Sequence, residues 1–188
     1  SNYVVSQSYL SYVLVYLVND FKAALPHINA ALRMEEMTEL YFYKAICYRE
    51  TKLKDSSEYY LKKCIARDKN YFNAYNLLMY DYNVNGEFEK TITLFNNAIN
   101  SGVKTVEIYN GLGKTYWQMK SNEEAKKYYE VTLKRIQDKW WTKDAHSLAW
   151  CYHKTGQTNQ AISTMKKVIE KSQNGEFVDM QFIAYKDI

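Results

Sequence analysis

The sequence contains few of the residues that make tight turns. Only 6 of its 188 residues are glycine and 1 is proline, far fewer than a turn-rich β-sandwich or β-barrel requires. Its apolar content is too high for a disordered chain, because 47% of its residues are hydrophobic. The class that this composition favours is a mostly helical globular protein.

Cysteine, long apolar runs and an excess of one charge are scarce as well. The three cysteines, Cys47, Cys64 and Cys151, give neither a disulfide framework nor a metal-binding spacing. The apolar stretch Tyr9–Val18 is interrupted by Ser11 and is shorter than the roughly 18 residues of a membrane span. The net charge is +4, milder than the clustered excess of most nucleic-acid binders. We expect no metal, no cofactor, no membrane span and no nucleic-acid partner.

Tyrosines recur at a fixed interval along the chain. Two series each have a spacing of 34 residues: Tyr41, Tyr75 and Tyr109, and Tyr48, Tyr82 and Tyr116. Small or flexible residues keep the same register three positions before a tyrosine: Ala45, Met79, Gly113 and Ala149. A period of this length indicates supersecondary units stacked side by side.

Each unit is predicted to be a pair of helices. In the clearest unit, Tyr109, Gly113 and Tyr116 fall on one face of a first helix. Ser121, followed three residues later by Glu124, forms a capping box that opens a second helix. A large side chain at Gly113 would push two closely packed helices apart. The small residue at this position therefore indicates close helix packing.

The segment Val106–Asp138 resembles a tetratricopeptide repeat (TPR). The pattern of that family falls on these residues: Tyr109, Leu112-Gly113, Tyr116, Ala125, Tyr129 and Thr132. Units beginning near residues 38, 72 and 142 match more loosely, and the unit from about residue 4 matches least. The proline that usually ends each unit of the family is absent.

The resemblance implies an all-α fold, a right-handed superhelical solenoid of about five helix-turn-helix hairpins plus a C-terminal helix. We expect a single domain, 1–188. Its repeats are placed approximately at 4–37, 38–71, 72–105, 106–139 and 142–175, with a terminal helix at 176–188.

The resemblance also implies a binding surface, because the first helices of the family line a concave groove that holds peptides or partner segments. The period places the following residues on that face as partner-binding candidates: Asn73, Asn76, Tyr80, Asn83, Asn110, Lys114, Trp117, Lys143, His146, Trp150 and His153. The same period gives Glu39, Phe42, Ile46 and Arg49 in the preceding unit. Asparagine amides both donate and accept hydrogen bonds and so suit a peptide backbone, whereas tryptophans are common anchors at interfaces.

One partner of the family is not predicted. Some members clamp the C-terminal carboxylate of chaperones with lysine and asparagine in consecutive units. Here Asn76 stands where that pattern needs lysine, Gly111 stands where it needs asparagine, and only Lys143 fits.

No catalytic constellation is visible in the sequence. His146, Cys151 and His153 are separated by five, two and seven residues, and none of these is the helical spacing of a metal pair. There is no glycine-rich phosphate loop and no recognisable set of nucleophile, base and orienting acid. We predict a non-catalytic scaffold that binds a peptide or partner segment.

Alternative functions stay open. The apolar ends, Tyr9–Val18 and Phe177–Tyr185, favour an assembly module that forms homo-oligomers, and a regulatory or sensor domain of a larger protein is a further alternative. Lysine pairs on the second helices, such as Lys126-Lys127, are more typical of a solvated convex face than of RNA binding. The unpaired cysteines favour a cytoplasmic location, while export stays open because the sequence begins with Ser1 rather than methionine.

Overall fold

The computed structural model describes residues 2–136 and 145–173. Within these ranges the chain forms ten α-helices and no β-strand, which confirms the all-α fold class. The helices are α1 (Asn2–Tyr12), α2 (Phe21–Met34), α3 (Thr38–Glu50), α4 (Lys54–Arg67), α5 (Phe72–Val84), α6 (Phe88–Asn100), α7 (Val106–Gln118), α8 (Asn122–Ile136), α9 (Ala145–Lys154) and α10 (Thr158–Gln173). A π-helical segment, Val13–Val18, continues α1.

The helices repeat with the period that the tyrosines predict. Three first helices, α3, α5 and α7, begin at Thr38, Phe72 and Val106, which are 34 residues apart. Each first helix packs on the helix that follows it and so forms a hairpin. The chain divides between Val103 and Lys104 into two compact units. We call them the N-terminal unit, which holds α1–α6, and the C-terminal unit, whose described part holds α7–α10.

In the N-terminal unit, α2 and α4 each contribute one face to the core, whereas α3 contributes residues to two clusters. In α2, Ala24, Ile28 and Ala31 are buried and follow one another by four and three residues. In α4 the buried Ser57, Leu61 and Cys64 have the same spacing, which brings three side chains to one side of a helix. The helices α2 and α4 therefore each present one mainly apolar stripe to the core.

Buried tyrosines fill the space between hairpins. Tyr41, Tyr75 and Tyr82 are at most 7% exposed. The hydroxyl of Tyr41 donates a hydrogen bond to Glu36 Oε1 at 2.8 Å, and its ring stacks on that of Tyr60 with centroids 6.1 Å apart. Four of the six recurring tyrosine positions are therefore core positions and the other two are half-buried. The polar end of Tyr41 is paired at the surface.

In the C-terminal unit, the core depends on one close helix approach. The ring of Tyr129 on α8 is fully buried and lies against Gly113 on α7. A Cβ atom at position 113 would fall 2.5 Å from Tyr129 Cε1, closer than any real contact. Ala125, Leu133 and Cys151 complete this core.

The turn inside each later hairpin contains a residue with a left-handed backbone. Gly86 and Gly156 have φ angles of 75° and 80°. Lys52 and Lys120 occupy the equivalent positions with φ angles of 66° and 60°. Two of these turns are therefore built from lysine in a conformation that favours glycine.

Candidate functional site

An exposed row of three side chains lies on α5 of the N-terminal unit. Asn73, Asn76 and Tyr80 are all exposed, and Tyr80 keeps 55% of its surface accessible. They are spaced by three and four residues, so they share one face of the helix. We call these three residues the α5 row. All three were expected on the partner-binding face.

Asn83, the next residue predicted on this face, makes a contact inside its own hairpin. Its Oδ1 accepts a hydrogen bond of 2.8 Å from the hydroxyl of Thr91, a buried residue of α6. The side chain of Asn83 is half-buried. Its amide oxygen therefore stabilises the α5–α6 hairpin.

Arg49 of α3 contacts Tyr80, one member of the α5 row, and the neighbouring Asp81. Its Nε donates a hydrogen bond to Asp81 Oδ1 at 2.8 Å, and its guanidinium lies over the ring of Tyr80, 5.2 Å from the centroid. Burial alone would lower the pKa of Arg49, but the hydrogen bond and the charge of Asp81 raise it overall. Two neighbouring first helices, α3 and α5, thus share a charged and aromatic contact at the row.

In the preceding repeat, one expected surface residue is in the core. Phe42 is only 8% exposed, and its ring packs edge-on against that of Tyr71 with centroids 5.4 Å apart. The expectation that Phe42 faces outward was wrong, because the next hairpin covers it. Glu39 is exposed and Ile46 is half-buried.

Two predicted tryptophans come together in the C-terminal unit. Trp117 of α7 is 39% exposed and Trp150 of α9 is half-buried. The Nζ of Lys154 lies 3.9 Å from the ring centroid of Trp117 and 4.3 Å from that of Trp150. Burial lowers the pKa of Lys154. Sequence reasoning missed this lysine, although its position four residues after Trp150 on a helix was a usable signal.

Trp150 has a polar contact as well. Its Nε1 donates a hydrogen bond of 3.2 Å to the hydroxyl of Tyr129. His153, which is exposed, has its ring 6.4 Å from that of Trp150. Trp150 is thus tied to the core through its nitrogen and to Lys154 through its ring.

A buried polar group of α7 lies against Cys151 of α9. Asn110 is 6% exposed, so its expected place on the surface was wrong. The Sγ of Cys151 lies 3.9 Å from Asn110 Oδ1 as a weak donor, which shows that α9 covers this side of α7. Lys114 is half-buried, and burial lowers its pKa.

Several predictions fall where the structure gives no side-chain description. Lys143 and the terminal helix 176–188 lie outside the described residues, as does the apolar stretch Phe177–Tyr185. His146 belongs to α9, but its side chain is not described. Their roles stay predictions.

The described residues include no metal-binding cluster and no exposed cysteine thiol. Among residues 2–136 and 145–173, no group of three or more His, Cys, Asp or Glu side chains is arranged to hold a metal ion. The thiols of Cys47, Cys64 and Cys151 are buried, which raises their pKa values to about 11, about 12 and about 12. They are therefore protonated at neutral pH and are poor nucleophiles. Within the same ranges, no helix combines the length and the apolar character that crossing a membrane needs.

Comparisons with known proteins agree with this architecture. Two models of the tetratricopeptide repeat match residues 106–130 and residues 147–174. A search of curated protein sequences gives no significant match.

Solved structures of the same fold cover most of the chain. A thermophilic TPR protein of Thermus thermophilus is 18% identical, with 90% of this chain and 92% of that chain covered and a TM-score of 0.61. A structure of MamA is 20% identical over 95% and 97% of the two chains, with a TM-score of 0.55. MamA from Desulfovibrio magneticus RS-1 is 12% identical over 94% and 99%, with a TM-score of 0.55. Similarity at this level of identity establishes the fold alone.

Proposed function

Because this chain is a tetratricopeptide-repeat protein, we propose that it binds a segment of another protein along the first helices of its hairpins, without catalysis. The fold is typical of protein-interaction scaffolds. The observation that carries the proposal is the α5 row. Its three side chains are exposed, whereas the other face of α5 is committed to the core through Ala74, Leu78 and Tyr82.

The chemistry of the row suits an extended main chain. A peptide in an extended conformation has unpaired N–H and C=O groups. The amide oxygens of Asn73 and Asn76 can accept from its N–H groups, and their NH₂ groups can donate to its C=O groups. Tyr80 adds an exposed ring, which Arg49 already contacts. A ring held by a neighbouring residue loses less freedom when a ligand binds.

The test is partner capture from native lysate with the wild-type chain and a triple variant, Asn73→Ala, Asn76→Ala and Tyr80→Ala. We expect the variant to keep its helical circular dichroism and to lose the captured partner. A matched control carries Tyr59→Ala, Asn97→Ala and Asn100→Ala on the second helices α4 and α6. These residues lie off the first helices, and Tyr59 has the same 55% exposure as Tyr80.

The control variant should capture the partner as the wild type does. If the α5-row variant captures it equally well, the binding site is elsewhere and the proposal fails.

A second candidate function is self-association, and one observation favours it. Apolar side chains at the N-terminal end are open to solvent: Tyr3 at 51%, Leu10 at 38%, Leu17 at 65% and Val18 at 58% exposure. Such a group is typical of an interaction surface. Light scattering over a range of concentrations tests it. A larger mass at high concentration that disappears in Leu17→Ser with Val18→Ser would support it, and a monomer throughout would exclude it.

A further inference from the structure

A cleft of about 460 Å³ opens in the N-terminal unit between α1, the α2–α3 connection and the start of α3. Its floor is apolar, because it includes the buried side chains of Val4 and Leu40. Its walls carry aromatic rings and two carboxylates. The α5 row includes none of these residues.

The aromatic wall consists of Tyr9 and Tyr12 from α1 and Tyr43 from α3. The rings of Tyr12 and Tyr43 have centroids 6.3 Å apart, and those of Tyr9 and Tyr12 lie 6.4 Å apart. Tyr9 and Tyr12 are 68% and 41% exposed. The faces of these rings carry the negative end of their quadrupoles and attract cations.

The two carboxylates belong to Glu35 and Glu39, both exposed. In the part of the chain that the structure describes, neither one forms an ion pair. Glu36, which lies between them in sequence, pairs with Arg67 at 3.2 Å and accepts from Tyr41. The cleft therefore holds two uncompensated negative charges in a chain whose net charge is +4.

The backbone adds to this negative potential. Glu35 is the C-cap residue of α2, where the helix dipole is negative and an acidic side chain is unfavourable. The pKa of Tyr43 is raised by burial and then by the charge of Glu39, so the field of that carboxylate reaches the aromatic wall. A positive group in the cleft would be stabilised both by the negative end of the α2 dipole and by the charge of Glu39.

We propose that this cleft binds the basic side chain, lysine or arginine, of a protein segment. The apolar floor accommodates the hydrocarbon stem of such a side chain, the rings attract its charge, and the carboxylates accept its N–H donors. A quaternary ammonium such as choline has no N–H to donate, and an apolar side chain would leave both carboxylates without a partner. The inference rests on the proposed function only in taking the ligand to be part of a protein.

The experiment is an NMR titration of the isotope-labelled full chain. Two probes are basic, acetyl-Gly-Arg-Gly-amide and acetyl-Gly-Lys-Gly-amide, and two are comparators, acetyl-Gly-Gln-Gly-amide and choline. We expect the basic tripeptides to give saturable shifts of the amides in residues 4–12 and 35–43. The comparators should bind at least about fivefold more weakly.

Variants distinguish binding in the cleft from a general attraction of the basic peptides to negative charge. Glu35→Gln with Glu39→Gln should weaken binding of the basic tripeptides at least about fivefold, and Tyr9→Leu should weaken it less. Glu36→Gln removes one negative charge from the same stretch but none from the cleft, and it should stay within about twofold of wild type. All of the changed residues are exposed, so circular dichroism should be unchanged.

The proposal is overturned if the glutamine tripeptide or choline binds as tightly as the basic tripeptides, or if the double glutamine variant binds them unchanged. The triple variant of the α5 row should keep tripeptide binding. If tripeptides bind at the cleft but removal of the α5 row leaves partner capture intact, the proposed function at α5 fails and the cleft stands.

Discussion

The ammonium of Lys154 lies 3.9 Å from the centroid of the Trp117 indole ring, and the same ammonium is 4.3 Å from the ring of Trp150. The aromatic pair that looked available as anchors for a ligand is thus already joined by a cation of the chain itself. A partner that uses the ring faces over which the ammonium lies has to displace Lys154.

Replacing Lys154 by methionine should destabilise the C-terminal unit by about 0.5–1 kcal/mol, because two cation–π contacts are lost while most of the apolar volume stays. The measurement is the urea midpoint together with the tryptophan emission, which should shift because the ring environment changes. Lys126→Met, at an exposed lysine on α8, is the control. Equal midpoints for the two variants would mean that the contact contributes nothing to stability.

Substitution of Gly113 by alanine should destabilise the chain by about 1–3 kcal/mol, because the new methyl group overlaps the buried ring of Tyr129. Chemical denaturation gives the change in free energy of unfolding. In a Tyr129→Leu background the same substitution should cost less, since the ring edge is gone. A cost that is identical in the two backgrounds would show that the overlap is not the cause.

Substitution of Lys120 by glycine should stabilise the chain by about 0.5–1 kcal/mol. Its φ angle of 60° is one that a side chain makes unfavourable, and Gly86 occupies the equivalent turn at 75°. The thermal midpoint reports the gain. Lys127→Gly, at an exposed position inside α8, should instead destabilise by about 1 kcal/mol. A loss of stability in both variants would contradict the argument.

Stability should fall at alkaline pH. Burial raises the pKa of Tyr129 from 10.0 to about 12, and those of Cys64 and Cys151 from 9.0 to about 12. The unfolded chain releases these protons first, so the stabilisation is complete below pH 9.0 and decreases as the pH rises toward about 12. Urea midpoints across this range measure the slope, which should be shallower in Tyr129→Phe. A stability that stays level across the whole range would contradict the prediction.

Much of the fold follows from the sequence because it depends on local chemistry and on a period. The helix starts at Thr38, Phe72 and Val106 follow the tyrosine spacing. Gly113 indicates a close helix approach. A glycine inside a helix lowers its stability, and here the absence of a side chain makes room for the ring of Tyr129. These inferences need only neighbours within one hairpin.

The site was harder to predict, because exposure depends on which hairpin covers a position. Asn110 and Asn76 hold the same place in their repeats, yet α9 buries the first and the second is exposed. Phe42 is covered by the residue that precedes α5. The cleft was missed for a different reason, since it draws on the repeat with the weakest family pattern and on Glu35 from an inter-helix connection.

The π-helical segment Val13–Val18 has a consequence for the direction of the rings that precede it. Each added or removed residue in a helix rotates everything before it by about 100° relative to everything after it. Removing one residue from this segment would therefore turn Tyr9 and Tyr12 away from Tyr43 without any substitution among these three tyrosines. The number of residues in the segment Val13–Val18 thus sets the direction in which Tyr9 and Tyr12 point. A comparison of residue types alone would not show this.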